Sequence, residues 1–492
     1  MFPQLTYLPL GKTGLMVSQA GFGSYRVDIP NAVHRSALTH ALRSGINLID
    51  TSSNYADGGS EQLIGSVIHD LIEQEQLNRS AIVIVSKGGY LQGQNFAISQ
   101  QRKTWGNPFP DLVEYGPQLE HCIHPVFLED QINRSLERLT MDHLDVYLLH
   151  NPEYYLGYAK KVDKPLGEAR DEYYRRIKLA FTHLEQEVEK GRIGSYGISS
   201  NSFPKSADSY DFTSLEQVWS IANEISPDHH FRVIQLPMNL AETGGDTEKN
   251  QSESRSVLEL AREHQIGVLI NRPLNAVIGN NLIRLADLPD RHSLMPPDHD
   301  EVEGLIDGLI NQEALLQRAV FAIDIPFRTK QEFAATTAAG RMLSQRWQGF
   351  GTYSNWRDVV SGYLQPRARF AISFLRSRPE LPPEAETWIR EYEALHERTL
   401  EAILSVYRSQ EADMLETIKL NVDSISNDWK GAATLSQAAI RTLRTTAGIT
   451  CVLVGMRKPA YVSDVLNELE VKVPQKNRAE AWSLLQEAIQ LE

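Results

Sequence analysis

Ile46-Asn47-Leu48-Ile49-Asp50-Thr51-Ser52-Ser53-Asn54-Tyr55 is a short apolar run that gives out at a carboxylate and, one loop later, at a phenol. Two further runs end in the same manner: Ile82-Val83-Ile84-Val85-Ser86 stops at Lys87, and Val146-Tyr147-Leu148-Leu149 stops at His150. Polar side chains at the carboxyl ends of successive strands mark the catalytic rim of an eight-stranded α/β barrel, because only that face has loops free to be shaped for chemistry.

The same strand-and-helix unit recurs on both sides of these runs. After a hairpin expected around Lys12-Thr13-Gly14, a first strand spans Val17 to Gly23. Val33, Ala37, Leu38, Ala41 and Leu42 then share one face of a helix that Gly45 stops. Ser60 is suited to cap the next helix, lined by Leu63, Ile64, Val67, Ile68, Leu71 and Ile72. A third helix is expected from about Leu128 to Leu139, with strand four at Asp145 to His150. A long helix from Tyr173 to Lys190 leads to strand five at Gly194 to Ser199. Val233 to Leu236, Gly267 to Ile270 after a helix at Ser256 to His264, and Thr450 to Val454 bring the strands to eight. Strands alternating with helices in this number predict a (β/α)₈ TIM barrel.

The chain has 492 residues, whereas such a barrel needs roughly 250. Two stretches carry the excess. Residues 89–125, after strand three, are polar and rich in Gly and Pro, and read as a long ordered loop or lid. Residues 277–428, after strand seven, are mostly helical, with Tyr392, Leu395, Ala402, Ile403 and Val406 at helix spacing, and read as a small subdomain. Residues 1–276 and 429–492 then form the barrel. The insertion is expected to roof the cleft or to make a subunit contact that would build a homo-oligomer. The acidic Pro296-Pro297-Asp298-His299-Asp300-Glu301 is read as a turn without function.

Forty-nine basic against 63 acidic residues give a net charge of −14, which argues against nucleic acid as a partner. The two cysteines, Cys122 and Cys451, form no CxxC, so neither a disulfide framework nor a structural zinc is expected. His121 with His124, or His229 with His230, lacks a third ligand at a recognisable spacing. No run reaches the ~18 apolar residues of a membrane span, and the first residues carry no secretion signal, so a cytoplasmic protein is expected.

Reduction of an aldehyde or ketone by hydride places negative charge on the carbonyl oxygen, which must be given a proton and held in a polar pocket. Tyr55 is the candidate acid. Its phenol is weak at neutral pH unless a cation steadies the anion, a field that Lys87 would supply with Asp50 as its ion-pair partner. His150 would orient the carbonyl by a hydrogen bond.

Gly11-Lys12-Thr13-Gly14-Leu15, Asp50 to Tyr55, Ser86-Lys87-Gly88 and Asp145 to Pro152 together resemble the aldo-keto reductases, over residues 5–275 outside the first insertion and again over about 431–470. The resemblance implies a metal-free reductase of small carbonyl compounds, or the reverse reaction on alcohols. It also implies Asp50, Tyr55, Lys87 and His150 as catalytic residues and one nicotinamide cofactor, for which Arg457 and Lys458 favour NADP(H) over NAD(H). The nicotinamide amide would be held by Gln235 and by a pair after strand five, either Ser199-Ser200 or Ser200-Asn201, with Gly23 and Asp464 completing the cofactor set. Asn271-Arg272-Pro273-Leu274 stands where the family often has Tyr-Ser-Pro-Leu, so stacking is either lost or supplied by another segment, and Arg272 is a candidate donor for the pyrophosphate. Gly455-Met456-Arg457-Lys458 opens a helix, a setting suited to a 2′-phosphate. No GxGxxG lies between a strand and a helix, which argues against a Rossmann dehydrogenase.

Two other readings compete. A cofactor-binding regulatory or redox-sensing subunit would share the fold, since fold alone never proves activity. A barrel lyase with Lys87 as a Schiff base would need a neutral lysine, which the adjacent carboxylate disfavours.

Overall fold

In the computed structural model, which describes residues 2–278, 281–288 and 295–490, eight parallel strands close into a barrel. Labelled alone along the chain, the barrel strands are β1 (Ala20–Gly23), β2 (Leu48–Asp50), β3 (Val83–Gly88), β4 (Leu144–His150), β5 (Ile193–Ser199), β6 (Phe231–Pro237), β7 (Gly267–Asn271) and β8 (Cys451–Val454). Closure is made where β8 pairs with β1, Val452 opposite Ala20 and Val454 opposite Phe22.

Side chains alternate along a strand, and this alternation positions the site. Leu48, Val83, Val85, Val146, Leu148, Val233, Leu269 and Cys451 fill the interior, joined by Leu10 and Val17 of the amino-terminal hairpin. Two residues further along the same inward rows stand Asp50, Lys87, His150, Gln235 and Asn271. The polar set thus sits directly on an apolar layer. Close approach of β5 to β6 requires glycine at 197, where a Cβ would meet the Val233 carbonyl oxygen at 1.7 Å.

Several local expectations are corrected. Val17 to Gly23 is not one strand: Met16–Ser18 pairs with Tyr7–Pro9 in the hairpin, and the barrel strand begins at Ala20. Ser60 does not cap its helix, which starts at Gly59 behind the left-handed Gly58 (φ 92°). Its hydroxyl instead donates to Ser24 at 2.8 Å. Residues 89–125 are more than a loop, holding the helix Gly93–Thr104 and an antiparallel sheet of Tyr90–Leu91, Leu119–His121 and Val113–Gly116. Polar residues pack this segment, since buried Glu120 accepts from Ser99 at 2.6 Å and pairs with Lys103 at 2.6 Å. An apolar period was therefore never there to be read. The acidic Pro296–Glu301 turn is the start of the helix His299–Ala322, where Asp298 and Glu301 form a reciprocal capping box.

The chain divides into a barrel unit, residues 1–276 with 419–492, and a second unit, residues 277–418. The second unit is built on helices that include His299–Ala322, Phe327–Thr336, Ala339–Arg346 and Gln365–Arg376, with the first part of Ala385–Ile425. Its own core gathers Val302, Leu309, Leu343, Trp356, Tyr392 and Ile403. No helix among the described residues is long and apolar enough to cross a membrane.

Candidate active site

Lys87 is fully buried, and its ammonium pairs with Asp50 Oδ1 at 2.7 Å. It also donates to the Thr51 carbonyl at 2.8 Å and to Tyr55 Oη at 3.2 Å. Because Tyr55 Oη accepts from Lys87, its own hydrogen is free for a ligand. The chain of bonds continues behind Asp50, where Gln235 Nε2 donates to Oδ1 at 2.7 Å and Ser199 Oγ donates to Gln235 Oε1 at 2.9 Å. The His150 ring lies edge-on to Tyr55, centroids 6.0 Å apart. Tyr55, Lys87, Asp50 and His150 are thus brought together from β2, β3 and β4 and the loop after β2.

Burial dominates the protonation of the set. It pushes Asp50 up and Lys87 down, and their mutual attraction opposes both shifts. Tyr55 is raised well above the usual phenol, by burial first and then by Asp50 and Tyr25. The expected lowering by Lys87 is not what the structure gives: burial comes first, and that ammonium is paired with Asp50. His150 is held neutral, pushed well below the ordinary imidazole by burial, then by Lys87 and His121.

The expected cofactor residues divide. Gly23 ends β1 opposite Asp50, and Ser199 and Gln235 face the tetrad. Ser200 is turned away, its hydroxyl 3.0 Å from that of Ser202. The Asn201 backbone N–H donates to Glu153 at 2.8 Å. Arg272 pairs with Glu242 at 2.7 Å, and its enclosed Nε has no partner. Asp464 accepts from Ser436 Oγ at 2.5 Å and Gln437 Nε2 at 2.9 Å at the start of the helix Leu435–Arg444. Gly455 and Lys458 are exposed and Arg457 half-buried just before the helix Pro459–Leu469.

Other residues join the site without a role that the sequence announces. Ser52 Oγ lies 3.0 Å from His150 Nδ1. His121 Nε2 donates to the His150 carbonyl at 2.7 Å, and the Tyr90 ring stands 4.7 Å from that of His150. Buried Glu61 accepts from Ser86 Oγ at 2.6 Å and pairs with Arg138 at 2.7 Å. Ala56, Asp57, Asn151 and Arg272 all have positive φ, between 49° and 53°. Left-handed backbone at non-glycine positions just after Tyr55, His150 and Asn271 is a mark of a functional rim. Among the described residues no group of three His, Cys, Asp or Glu is placed to hold a metal ion. His121 is bound to His150, and His230 pairs with Glu185 at 2.8 Å.

Glu153 is buried and its Oε2 has no hydrogen-bond partner. Burial raises its carboxyl from 4.5 to about 7. A carboxyl whose folded value exceeds its unfolded one contributes stability that is complete below about 4.5 and is lost as pH rises through about 7. Glu153→Gln is expected to remove this slope and to raise stability above pH 7 by an amount on the order of 3 kcal/mol. Denaturant melts of both proteins at pH 5 and pH 8 check it; equal differences at the two pH values would refute the assignment.

The rim of a closed parallel barrel thus carries a buried lysine that pairs with an aspartate and donates to a tyrosine, beside a neutral histidine. A profile of the Aldo/keto reductase family matches residues 20–278, and the chain belongs to that family. It is 28% identical over 151 residues to an NADH-specific methylglyoxal reductase of Escherichia coli, covering 29% of this chain and 41% of that protein. It is 30% identical over 154 residues to a probable voltage-gated potassium channel subunit beta of Arabidopsis thaliana, covering 30% and 38%. The chain thus spans about two fifths of the curated relatives it matches. Among solved structures, a glycerol dehydrogenase from Gluconobacter oxydans aligns with TM-score 0.48 at 15% identity over 99% of this chain and 97% of that one. An aldo/keto reductase from Klebsiella pneumoniae in complex with NADP and acetate aligns with TM-score 0.32 at 20% identity, over 54% and 67%.

Proposed function

We propose that this chain is a nicotinamide-dependent oxidoreductase that interconverts a small carbonyl compound and its alcohol. The observation that carries the proposal is the Asp50–Lys87–Tyr55 chain of contacts at 2.7 and 3.2 Å, which leaves the Tyr55 hydrogen free for a substrate oxygen. In reduction Tyr55 gives that proton, and the Lys87 ammonium steadies the phenolate left behind. Asp50 keeps Lys87 in place, and His150 bounds the same pocket. The nicotinamide, when bound, supplies or accepts the hydride.

The chemistry of the site fits such a cofactor. Asn271 Oδ1 is buried with no partner, beside Gln235, to which Asn271 Nδ2 donates at 3.4 Å. An amide acceptor in want of a donor, next to a glutamine and Ser199, suits a carboxamide. Ser199, Gln235 and Asn271 would hold the nicotinamide end. Arg457 and Lys458, at the start of the helix Pro459–Leu469, would hold a 2′-phosphate, and on this ground NADP(H) is favoured over NAD(H).

Titration with NADPH and NADH, followed by the fluorescence of the seven tryptophans, tests the reading. NADPH is expected to bind at least tenfold more tightly, and Lys458→Ala to erase most of that difference, as loss of a charged phosphate contact would. Binding of neither nucleotide would overturn the proposed function, and equal binding would overturn the role of Arg457 and Lys458.

A further inference from the structure

The second unit holds a cavity of about 300 Å³ within residues 335–392. Arg341, Arg346 and Arg367 all line it, and among the described residues no carboxylate does. Elsewhere in this unit exposed arginines find acids: Arg328 pairs with Glu332 at 2.9 Å and Arg376 with Glu386 at 3.2 Å. Arg341 and Arg346, both exposed, make no ion pair among the described residues. Arg367 gives one hydrogen to the Ala335 carbonyl and lies over the Tyr363 ring at 4.8 Å, which leaves its other N–H groups for a ligand. Glu313 does not balance this charge. It is buried at the start of the helix Ala339–Arg346, where it accepts from the Ala339 and Gly340 N–H groups at 2.9 and 3.1 Å. Burial raises its carboxyl to about 7, so it is only partly charged at neutral pH.

Tyr392 is an independent sign of a ligand. Its side chain is 1% exposed and lines the cavity, yet its hydroxyl makes no hydrogen bond among the described residues. Burial, and then Glu313, keep that phenol protonated, so it stands as a donor in want of an acceptor. The opposite wall has a local cause in the sequence. Pro366 has no N–H to bond back to Gly362, and the helix widens there into a π turn at Val360–Leu364, in which the Gln365 N–H reaches Val360. That turn presents Tyr363, 49% exposed, and Leu364 to the cavity.

We propose that this cavity is a binding site for a small organic dianion. Arg341, Arg346 and Arg367 meet its charge, Tyr392 donates to one of its oxygens, and Tyr363 and Leu364 cover its body. The volume lies at the low end of the roughly 300–1,000 Å³ of small-molecule sites, which suits a body of about one ring. A single negative charge would leave most of the cationic field unmet. Guanidinium forks take phosphate and carboxylate oxygens alike, so a phosphate monoester and a dicarboxylate share the required chemistry. The proposal is independent of the reaction in the barrel.

Isothermal titration calorimetry of the full chain with phenyl phosphate, phthalate, benzoate and phenol tests it. Phenyl phosphate or phthalate is expected to saturate one site, the tighter of the two naming the head group, with benzoate at least tenfold weaker and phenol giving no heat. The double change Arg341→Gln and Arg346→Gln alters only exposed side chains and should raise Kd by about tenfold or more. Tyr392→Phe removes one oxygen and should raise Kd about tenfold. Lys458→Ala, in the barrel unit, should leave Kd unmoved. Thermal melts accompany each variant; if Tyr392→Phe melts early, the surface pair of arginines still decides. Failure of both dianions to bind would overturn the proposal, as would benzoate binding as tightly as they do. An unchanged Kd in either folded variant, or a loss of binding in Lys458→Ala, would place the ligand elsewhere and overturn it too.

Discussion

Tyr55→Phe is expected to lower turnover of a carbonyl substrate by a factor of about 10²–10⁴, the usual contribution of a positioned general acid, with cofactor affinity unchanged. The substitution removes one oxygen and little else. The ring keeps its edge contacts with Tyr25, centroids 5.2 Å apart, and with His150. Lys87 loses its bond to Tyr55 but retains Asp50 at 2.7 Å and the Thr51 carbonyl at 2.8 Å, so no buried charge is left without a partner. Stability should therefore change by no more than about 1 kcal/mol. Initial rates with a panel of aldehydes and ketones, beside a nucleotide titration and a thermal melt, check all three quantities. An unchanged rate would remove Tyr55 as the acid. If the native protein binds NADPH but turns nothing over, the reading of a cofactor-binding regulatory subunit takes its place.

The pH profile bears on the same assignment. Burial keeps Tyr55 protonated well above the ordinary phenol range and His150 neutral well below the ordinary imidazole range. Neither changes charge across neutrality, so the rate of carbonyl reduction by the native protein should show no inflection from these two between pH 6 and 9.

Asp50, Lys87 and His150 are legible because each ends an apolar row of period two, which needs no knowledge of its neighbours, and Tyr55 follows Asp50 by one short loop. Val83, Val85 and Lys87, or Val146, Leu148 and His150, state the inward face within one strand. Relations between distant segments left no such trace. Ser52 looks like any loop serine until His150 is folded 3.0 Å from it, and Glu153 looks solvent-borne until Asn201 closes over it. The first insertion was misread because polar residues, Asn95 and Ser99 among them, occupy the buried face of its helix. The partners of Arg272 and Asp464, Glu242 in one case and Ser436 with Gln437 in the other, are equally invisible along the chain.

The largest loss of stability is expected where the chain returns from the second unit to finish the barrel. Glu468 is fully buried and meets two guanidiniums, Arg441 at 2.7 Å and Arg444 at 2.5 Å. Burial presses the Arg444 guanidinium below its usual range, and Glu468 is the group that opposes this. Arg444 also donates to the carbonyls of Glu468 and Val471, at 3.0 and 2.8 Å, and to Gln19 Oε1 at 3.3 Å, just ahead of β1. One carboxylate thus joins the helix Leu435–Arg444, the helix Pro459–Leu469 and the first barrel strand. A buried pair of this kind adds little net stability over an apolar substitute, but removing one partner alone strands the other charges. Glu468→Gln keeps the shape and leaves two buried cations without a counter-ion, for an expected loss of about 3–5 kcal/mol. The triple change of Glu468, Arg441 and Arg444 to Met should recover most of that loss, because no charge then remains to be solvated. Urea unfolding of the full chain, followed by tryptophan fluorescence, measures both, since Trp429 and Trp482 are buried in this unit with ring centroids 5.3 Å apart. A loss under about 1 kcal/mol in the single variant would mean that water reaches the cluster and screens it as at a surface. A triple variant no better than the single one would mean that the cluster's shape, not its charge, closes the barrel.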